Sequence, residues 1–312
     1  MPDASPAEAT HLRTPGPAGR VLVLGASGRL GGICRSAWTG APGVIWQLRR
    51  ADTFRAASGE PCVWSPLHEP APRLRLPPLD AVLCLAGVVR GPEPLLAGNS
   101  ALARAAVAAG RALGARAVLV ASSGAVYGPA PGAAAETTPP APVSAYGRAK
   151  LDMERAVQRI PSASDAAGPR VTCLRIGNVA GCDALLGGSV AERAALPPEA
   201  RAPVVLDRFG DGRGPVRSYI GPWTLARVLA QLVDRAATGA ALPPVLNLAQ
   251  PGAVSMSSLL DAAGIPRVWR PAPGGAVQTV ALDVSRLMAL EGVTVQPSEA
   301  VGIVAEWQRW RR

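Results

Sequence analysis

Short aliphatic runs separated by longer alanine-rich stretches set the rhythm of the first 180 residues. VLVLGA at 21–26, VIWQL at 44–48, CVW at 62–64, AVLCLAG at 81–87, AVLVASS at 117–123 and VTCLRIGN at 171–178 read as strands. Near-continuous apolar runs of this kind belong to strands buried on both faces, the habit of parallel sheets. Residues 29–39, 94–113 and 145–159 have the length and composition of helices between them. Strands and helices in alternation, joined by right-handed crossovers, predict an α/β fold: a Rossmann-type doubly wound parallel sheet.

After about residue 180 the pattern changes. Proline and glycine rise, strands shorten, and helices stand apart at 223–237, 255–263, 284–291 and 297–310. This predicts a smaller C-terminal lobe. The expected organisation is a flexible leader over 1–19, a dinucleotide-binding domain over 20–180 to which later elements return, and a mainly substrate-binding lobe over 181–312. The proline-rich piece at 128–142 reads as a loop, because proline removes backbone donors and biases its predecessor away from helix.

Composition narrows the classes. Apolar residues make up 48% and charged residues 17%, which excludes a disordered chain. The net charge of +10 favours anionic partners. With no basic run of five or more and few stacking aromatics, that partner is expected to be a small molecule and not nucleic acid. The five cysteines are scattered without a CxxC pair, and His11 and His68 are the only histidines. A disulfide framework, a metal site and a histidine-based triad are therefore not expected. The longest apolar stretch, 101–121, is broken by Arg104, Arg111 and Arg116, so no membrane span is expected. The segment 1–19 lacks an apolar signal core, and the expected location is cytoplasmic.

GASGRLG at 25–31 lies between a strand and a helix. Gly25 permits a tight turn, Gly28 lets the backbone approach a pyrophosphate at the helix N-terminus, and Gly31 lets the helix sit against the strand. Ser27, Arg29 and Leu30 complete this candidate cofactor turn. An acid at the tip of the second strand would bond the 2′-hydroxyl of NAD. Arg49 and Arg50 stand there instead, and arginine suits a 2′-phosphate. Arg29 is a candidate for the same phosphate. With Asp52 nearby, either dinucleotide remains open and NADP is favoured over NAD.

Ser123 ends the fifth strand, and Tyr146 and Lys150 lie one turn apart on the helix that follows. A phenol with a pKa of ~10 is a poor base near neutrality, and a neighbouring ammonium favours its phenolate. Lys150 is the expected ammonium, also placed to hold a ribose hydroxyl. Tyr146 would exchange a proton with a substrate oxygen while hydride moves to or from a nicotinamide. Ser123 would hydrogen-bond the same oxygen.

With these motifs in order, the chain from about 20 to 295 resembles the extended short-chain dehydrogenase/reductases of the NAD-dependent epimerase/dehydratase family. CLAG at 84–87 is similar to that family's fourth-strand signature, and implies cofactor contacts at Leu85, Ala86 and Gly87. Asn99 stands where the family often opens its next long helix. SSGAVYG at 122–128 and YGRAK at 146–150 match its serine and tyrosine–lysine motifs. LRIGNVAG at 174–181 implies that Asn178 faces substrate, beside Ser123 and Gly124. GDGRGPVRSYIG at 210–221 resembles the segment that brings an arginine, here Arg217, to a substrate diphosphate. Departures are Ser218 where an acid usually follows, Trp64-Ser65-Pro66 in place of an acid after the third strand, and an irregular 179–209 segment. Gly124-Ala125 replaces the Asp-Glu pair of the sugar-nucleotide dehydratases, which leaves epimerase or reductase chemistry. The resemblance implies a hydride-transferring enzyme, and the leading expectation for its substrate is a nucleotide sugar. The alternatives are a reductase of non-nucleotide carbonyl compounds and, from another class, a non-catalytic dinucleotide sensor on the same fold. It also implies a homodimer through helices 94–113 and 145–159.

Overall fold

The computed structural model describes residues 14–50, 59–71, 75–160, 168–188, 192, 196–197 and 200–311. Asp52, residues 1–13 of the expected leader and parts of the 179–209 segment lie outside the described residues. Of the leader, Ala18 and Gly19 are described, and both donate their N–H groups to the Asp234 carboxylate, at 2.7 and 3.2 Å.

The strands of the first half are β1 (Val21–Leu24), β2 (Val44–Leu48), β3 (Glu60–Val63), β4 (Ala81–Cys84), β5 (Ala117–Ser123), β6 (Ala133–Ala134) and β7 (Arg170–Ile176). Then come β8 (Asn178–Val179), β9 (Val204–Arg208), β10 (Val216–Arg217), β11 (Tyr219–Ile220), β12 (Val245–Leu248), β13 (Val254–Ser255), β14 (Arg267–Pro271) and β15 (Thr279–Leu282). Among the described residues, seven strands form one parallel sheet in the order β3-β2-β1-β4-β5-β7-β12. This is the predicted doubly wound sheet with one strand added from the second half. Strand β4 is shorter than its apolar run. The Leu85 N–H still reaches Leu24 O, but residues 86–88 leave the ladder.

Helices cover both faces because both faces of the strands are apolar. Helix α1 (Arg29–Ala37) packs with α4 (Pro222–Ala237) on one side, where Ile33, Trp38, Leu225 and Leu229 are buried. Helices α2 (Glu93–Ala112) and α3 (Ala145–Gln158) pack together on the other, over Val107, Met153 and Val157. Ser144 starts α3 by accepting the Gly147 N–H at 3.0 Å. A third apolar cluster, around Leu206, Tyr219, Leu259 and Trp307, forms the lobe with α5 (Met256–Ala262) and α7 (Ala300–Trp310), whereas α6 (Ser285–Met288) packs its Leu287 into the first cluster. Among the described residues β13, β10, β15 and β6 form a separate sheet of four strands, in that order. No helix among the described residues is long and apolar enough to cross a membrane.

The glycines of the first turn differ in what they tolerate. A Cβ on Gly31 would lie 2.3 Å from Gly25 O and 2.7 Å from the Ala26 Cα, all backbone, whereas one on Gly32 meets nothing within 4 Å. Gly31→Ala is expected to cost about 1–3 kcal/mol by overpacking. Gly32→Ala should add about 0.5–1 kcal/mol, since alanine is the better helix residue. Urea unfolding of the two variants, adjacent in sequence and opposite in sign, checks this packing.

Candidate active site

The candidate residues converge at the carboxyl ends of the parallel strands, the edge where open α/β sheets bind ligands. The β1–α1 turn is built for close approach. Gly25 adopts φ +83°, and a Cβ there would sit 2.5 Å from the Ala86 N. Gly28 precedes α1 with no side-chain cap, so its exposed amide end is left for a ligand. Gly87 leaves a second opening, since a Cβ there would lie 3.1 Å from Lys150 Nζ and 2.9 Å from Asn99 Oδ1. These cradles, which side chains would fill, fit a dinucleotide along Gly25–Gly31 and Leu85–Gly87.

Two residues support the cradle. Gln47 on β2 is buried, accepts the Gly25 N–H at 3.0 Å and donates to Trp64 O at 2.6 Å. Asn99, which the resemblance places near the cofactor, instead clamps the loop after β4. Its Oδ1 accepts from Val88 N, and its Nδ2 donates to Val88 O and Leu96 O. Arg49 and Arg50 are exposed at the end of β2. Arg29 does not join them. Its Nη1 donates to Cys182 O at 2.6 Å, across 153 positions of sequence, and its charge acts on Tyr146. In this structure the guanidinium lies at the Cys182 end of the cleft, within reach of the Tyr146 phenol's charge.

Ser123, Tyr146 and Lys150 are brought together as predicted. The Ser123 hydroxyl accepts the Ala125 N–H at 3.2 Å and lies beside the Tyr146 phenol. Burial pushes the Tyr146 phenol above its ordinary value, while Ser123 and Arg29 pull it down. The sequence assigns that cationic task to Lys150, whereas the charge that lowers the phenol's pKa here is that of Arg29. Lys150 is 4% exposed, donates from Nζ to Ala121 O at 2.8 Å, and lies 5.9 Å from the centre of the Tyr146 ring. Burial brings its pKa down to about 8. It is also the only lysine in the chain, a signal that composition alone offers. Where arginine replaces lysine everywhere else, one position keeps the cation whose charge a protein can adjust.

Behind Lys150 lies a buried polar network that motif reading misses. Glu154, one turn further along α3, pairs with Arg175 of β7 at 2.7 Å and accepts the Ser122 hydroxyl at 2.5 Å. Arg175 lies 4.6 Å over the Tyr127 ring, and the Tyr127 hydroxyl donates to Asn247 of β12 at 2.7 Å. The tyrosine of the SSGAVYG motif is thus structural.

A cavity of about 310 Å³ opens beside Ser123 and Gly124 and extends to Asn178 and Arg217. Arg217 lines it as predicted, but its guanidinium donates to the carbonyls of Val216, Val277 and Gln278 at 2.6–2.9 Å. Ser218, where an acid was expected, accepts the Leu282 N–H at 2.9 Å and so ties β15 beside β10. Among the described residues no cluster of three or more potential metal ligands occurs.

The family model for the NAD-dependent epimerase/dehydratase family matches residues 21–194. None of the curated proteins matches the chain. Among solved structures, a UDP-glucose 4-epimerase from Stenotrophomonas maltophila, with bound NAD and formylated UDP-arabinopyranose, is 21% identical. It has a TM-score of 0.73, covering 94% of this chain and 98% of that one. A UDP-glucose 4-epimerase from Thermotoga maritima, with UDP-glucose, is 20% identical with a TM-score of 0.71, covering 93% and 98%. MoeE5 in complex with UDP-glucuronic acid and NAD is 24% identical with a TM-score of 0.70, covering 94% and 100%.

The geometry makes two substrate-independent predictions. Arg29→Gln removes a charge that lowers the Tyr146 pKa, so the phenol should titrate at higher pH. The readout is the phenolate absorbance that Tyr146→Phe removes. Lys150 has a folded pKa of about 8, below its ordinary value of 10.5. Below pH 8 the folded protein therefore carries the full penalty of a buried ammonium, and the penalty fades as pH rises from about 8 towards 10.5. That penalty is about 3 kcal/mol, and losing the bond to Ala121 O returns about 1–2 of it. Lys150→Met should thus raise the melting temperature of the cofactor-free protein at pH 7.

Proposed function

The chain belongs to the NAD-dependent epimerase/dehydratase family, enzymes of the extended short-chain dehydrogenase/reductase type, and on that footing we propose that it is an NADP(H)-using epimerase or reductase acting at a hydroxyl or ketone carbon of a nucleotide sugar. The observation that carries the reading is the convergence of Ser123, the Tyr146 phenol and a buried Lys150 whose Nζ lies 5.9 Å from the Tyr146 ring centre. When bound, the nicotinamide supplies or takes up hydride at that carbon. Tyr146 gives the carbonyl oxygen a proton, or takes one from the hydroxyl in the reverse direction. Ser123 holds the same oxygen in line with the phenol. Lys150, reached past Gly87, binds a ribose hydroxyl and contributes positive charge beneath the ring. Gly25, Ser27, Gly28, Leu30 and Gly31 hold the pyrophosphate, and Arg49 and Arg50 hold a 2′-phosphate.

For elimination of water a dehydratase needs an acid/base pair after Ser123, and Gly124-Ala125 offers none. The engagement of Arg217 by three carbonyls favours one second reading, a reductase of a carbonyl compound without a diphosphate. A homodimer through the outer faces of α2 and α3 is part of the proposal.

The test is to denature freshly purified protein, identify any released nucleotide by mass spectrometry, and titrate the emptied protein with NADPH and NADH. NADPH is expected to bind at least roughly tenfold tighter, the scale of one charge-assisted pair. Replacing Arg49 and Arg50 with alanine should erase the difference. Stoichiometric retained cofactor points to an epimerase, and an empty site to a reductase. Tighter NADH binding would refute the NADP assignment, and binding of neither would refute the enzyme reading.

A further inference from the structure

The walls of the cavity bear on what the substrate looks like beside its reacting carbon. Its broad surfaces are the side chains of Val143, Ile176, Val277, Val280 and Leu282. Leu282 closes down on the strand end itself, since a Cβ on Gly124 would lie 3.3 Å from its Cδ2. A side chain at position 124 would thus meet a leucine.

Five polar side chains line the cavity, and four of them are tied to backbone groups. Ser123 accepts the Ala125 N–H, Ser144 caps α3 and Ser218 accepts the Leu282 N–H. Arg217 donates to three carbonyls. A fully hydroxylated hexose buried here would exchange several water hydrogen bonds for contacts with valine and leucine, and each unmet hydroxyl costs about 1–3 kcal/mol. A methyl or methylene in the same place gains from burial.

We propose that the substrate is a deoxygenated sugar, a 6-deoxy or dideoxy hexose on a nucleoside diphosphate, whose methyl or methylene face lies against Val280 and Leu282. The proposal rests on the nucleotide-sugar reading above and names the substrate class within it. In the reducing direction hydride from NADPH adds to the ketone carbon, Tyr146 donates its proton to the ketone oxygen, and the phenolate regains a proton from solvent. The products are NADP⁺ and the alcohol. A ketone of this class comes from a reaction that removes water from a nucleotide hexose, chemistry this site does not itself perform.

The test is calorimetric titration of the NADP⁺-loaded protein with matched ligands: dTDP-glucose, dTDP-6-deoxyglucose and dTDP alone, and the corresponding uridine series. The 6-deoxy ligand is expected to bind roughly tenfold or more tightly than its hexose partner, as one group in an apolar pocket allows. Leu282→Ser should shrink or invert that ratio. Val280→Thr, isosteric and half-buried, should move it the same way if Leu282→Ser does not fold. Equal or stronger binding of the hexose, with both sugars exceeding the bare nucleotide, overturns the deoxy assignment and leaves the nucleotide-sugar reading standing. Binding of none of these ligands, with NADPH still bound, overturns both.

Discussion

An ammonium group must be kept charged enough to work inside a sheet-and-helix sandwich that excludes water, and the architecture around the active site answers to that requirement. Lys150 sits against the Tyr146 ring, bonded to a backbone carbonyl of β5. Its charge is useful because it is poorly hydrated, and costly for the same reason. The neighbouring network makes the burial tolerable. Glu154 brings a negative charge one helical turn away, and Arg175 balances Glu154 from the adjacent strand. Ser122, Tyr127 and Asn247 carry the network across β5, β7 and β12, and Arg175 Nη1 is left without a hydrogen-bond partner. The strand contributed by the second half of the chain is therefore part of the catalytic support as well as of the sheet.

That link also relates cofactor turn, catalytic helix and substrate lobe. Arg29 leaves the glycine turn to reach Cys182 just after β8, and β8 pairs with β11 beside Arg217. Ser218 then fixes β15, which brings Val280 and Leu282 to the cavity. Each step joins segments far apart in sequence. The pocket's shape thus follows from contacts made only after the sheet has formed.

These distances explain what could be read in the sequence. Strands β2 and β5 fall where their apolar runs begin and end, because turn residues bound them. The run at 81–87 overshoots β4 because Leu85 and Ala86 stay apolar after the ladder stops. The serine, tyrosine and lysine were legible because local order fixes their spacing. The neighbours of Arg29 in sequence suggest a 2′-phosphate, and its bond to a carbonyl 153 residues away could not be read from them. The two-residue strands β8, β10, β11 and β13 carry no periodicity to read, and they exist only through their partners. Glu154 and Arg175 look like ordinary helix and strand charges until the fold buries both. The solitary lysine was the one compositional clue to where the charge had to be.

That solitude makes the central claim directly measurable. Protein labelled with ¹³C at lysine Cε has a single lysine signal, and its shift can be followed against pH without knowing the substrate. The account predicts a titration centred near pH 8, well below the ordinary lysine value of 10.5. A midpoint at or above the ordinary value would mean that Lys150 is solvated, and would contradict the sealed site from which the rest of the mechanism is derived.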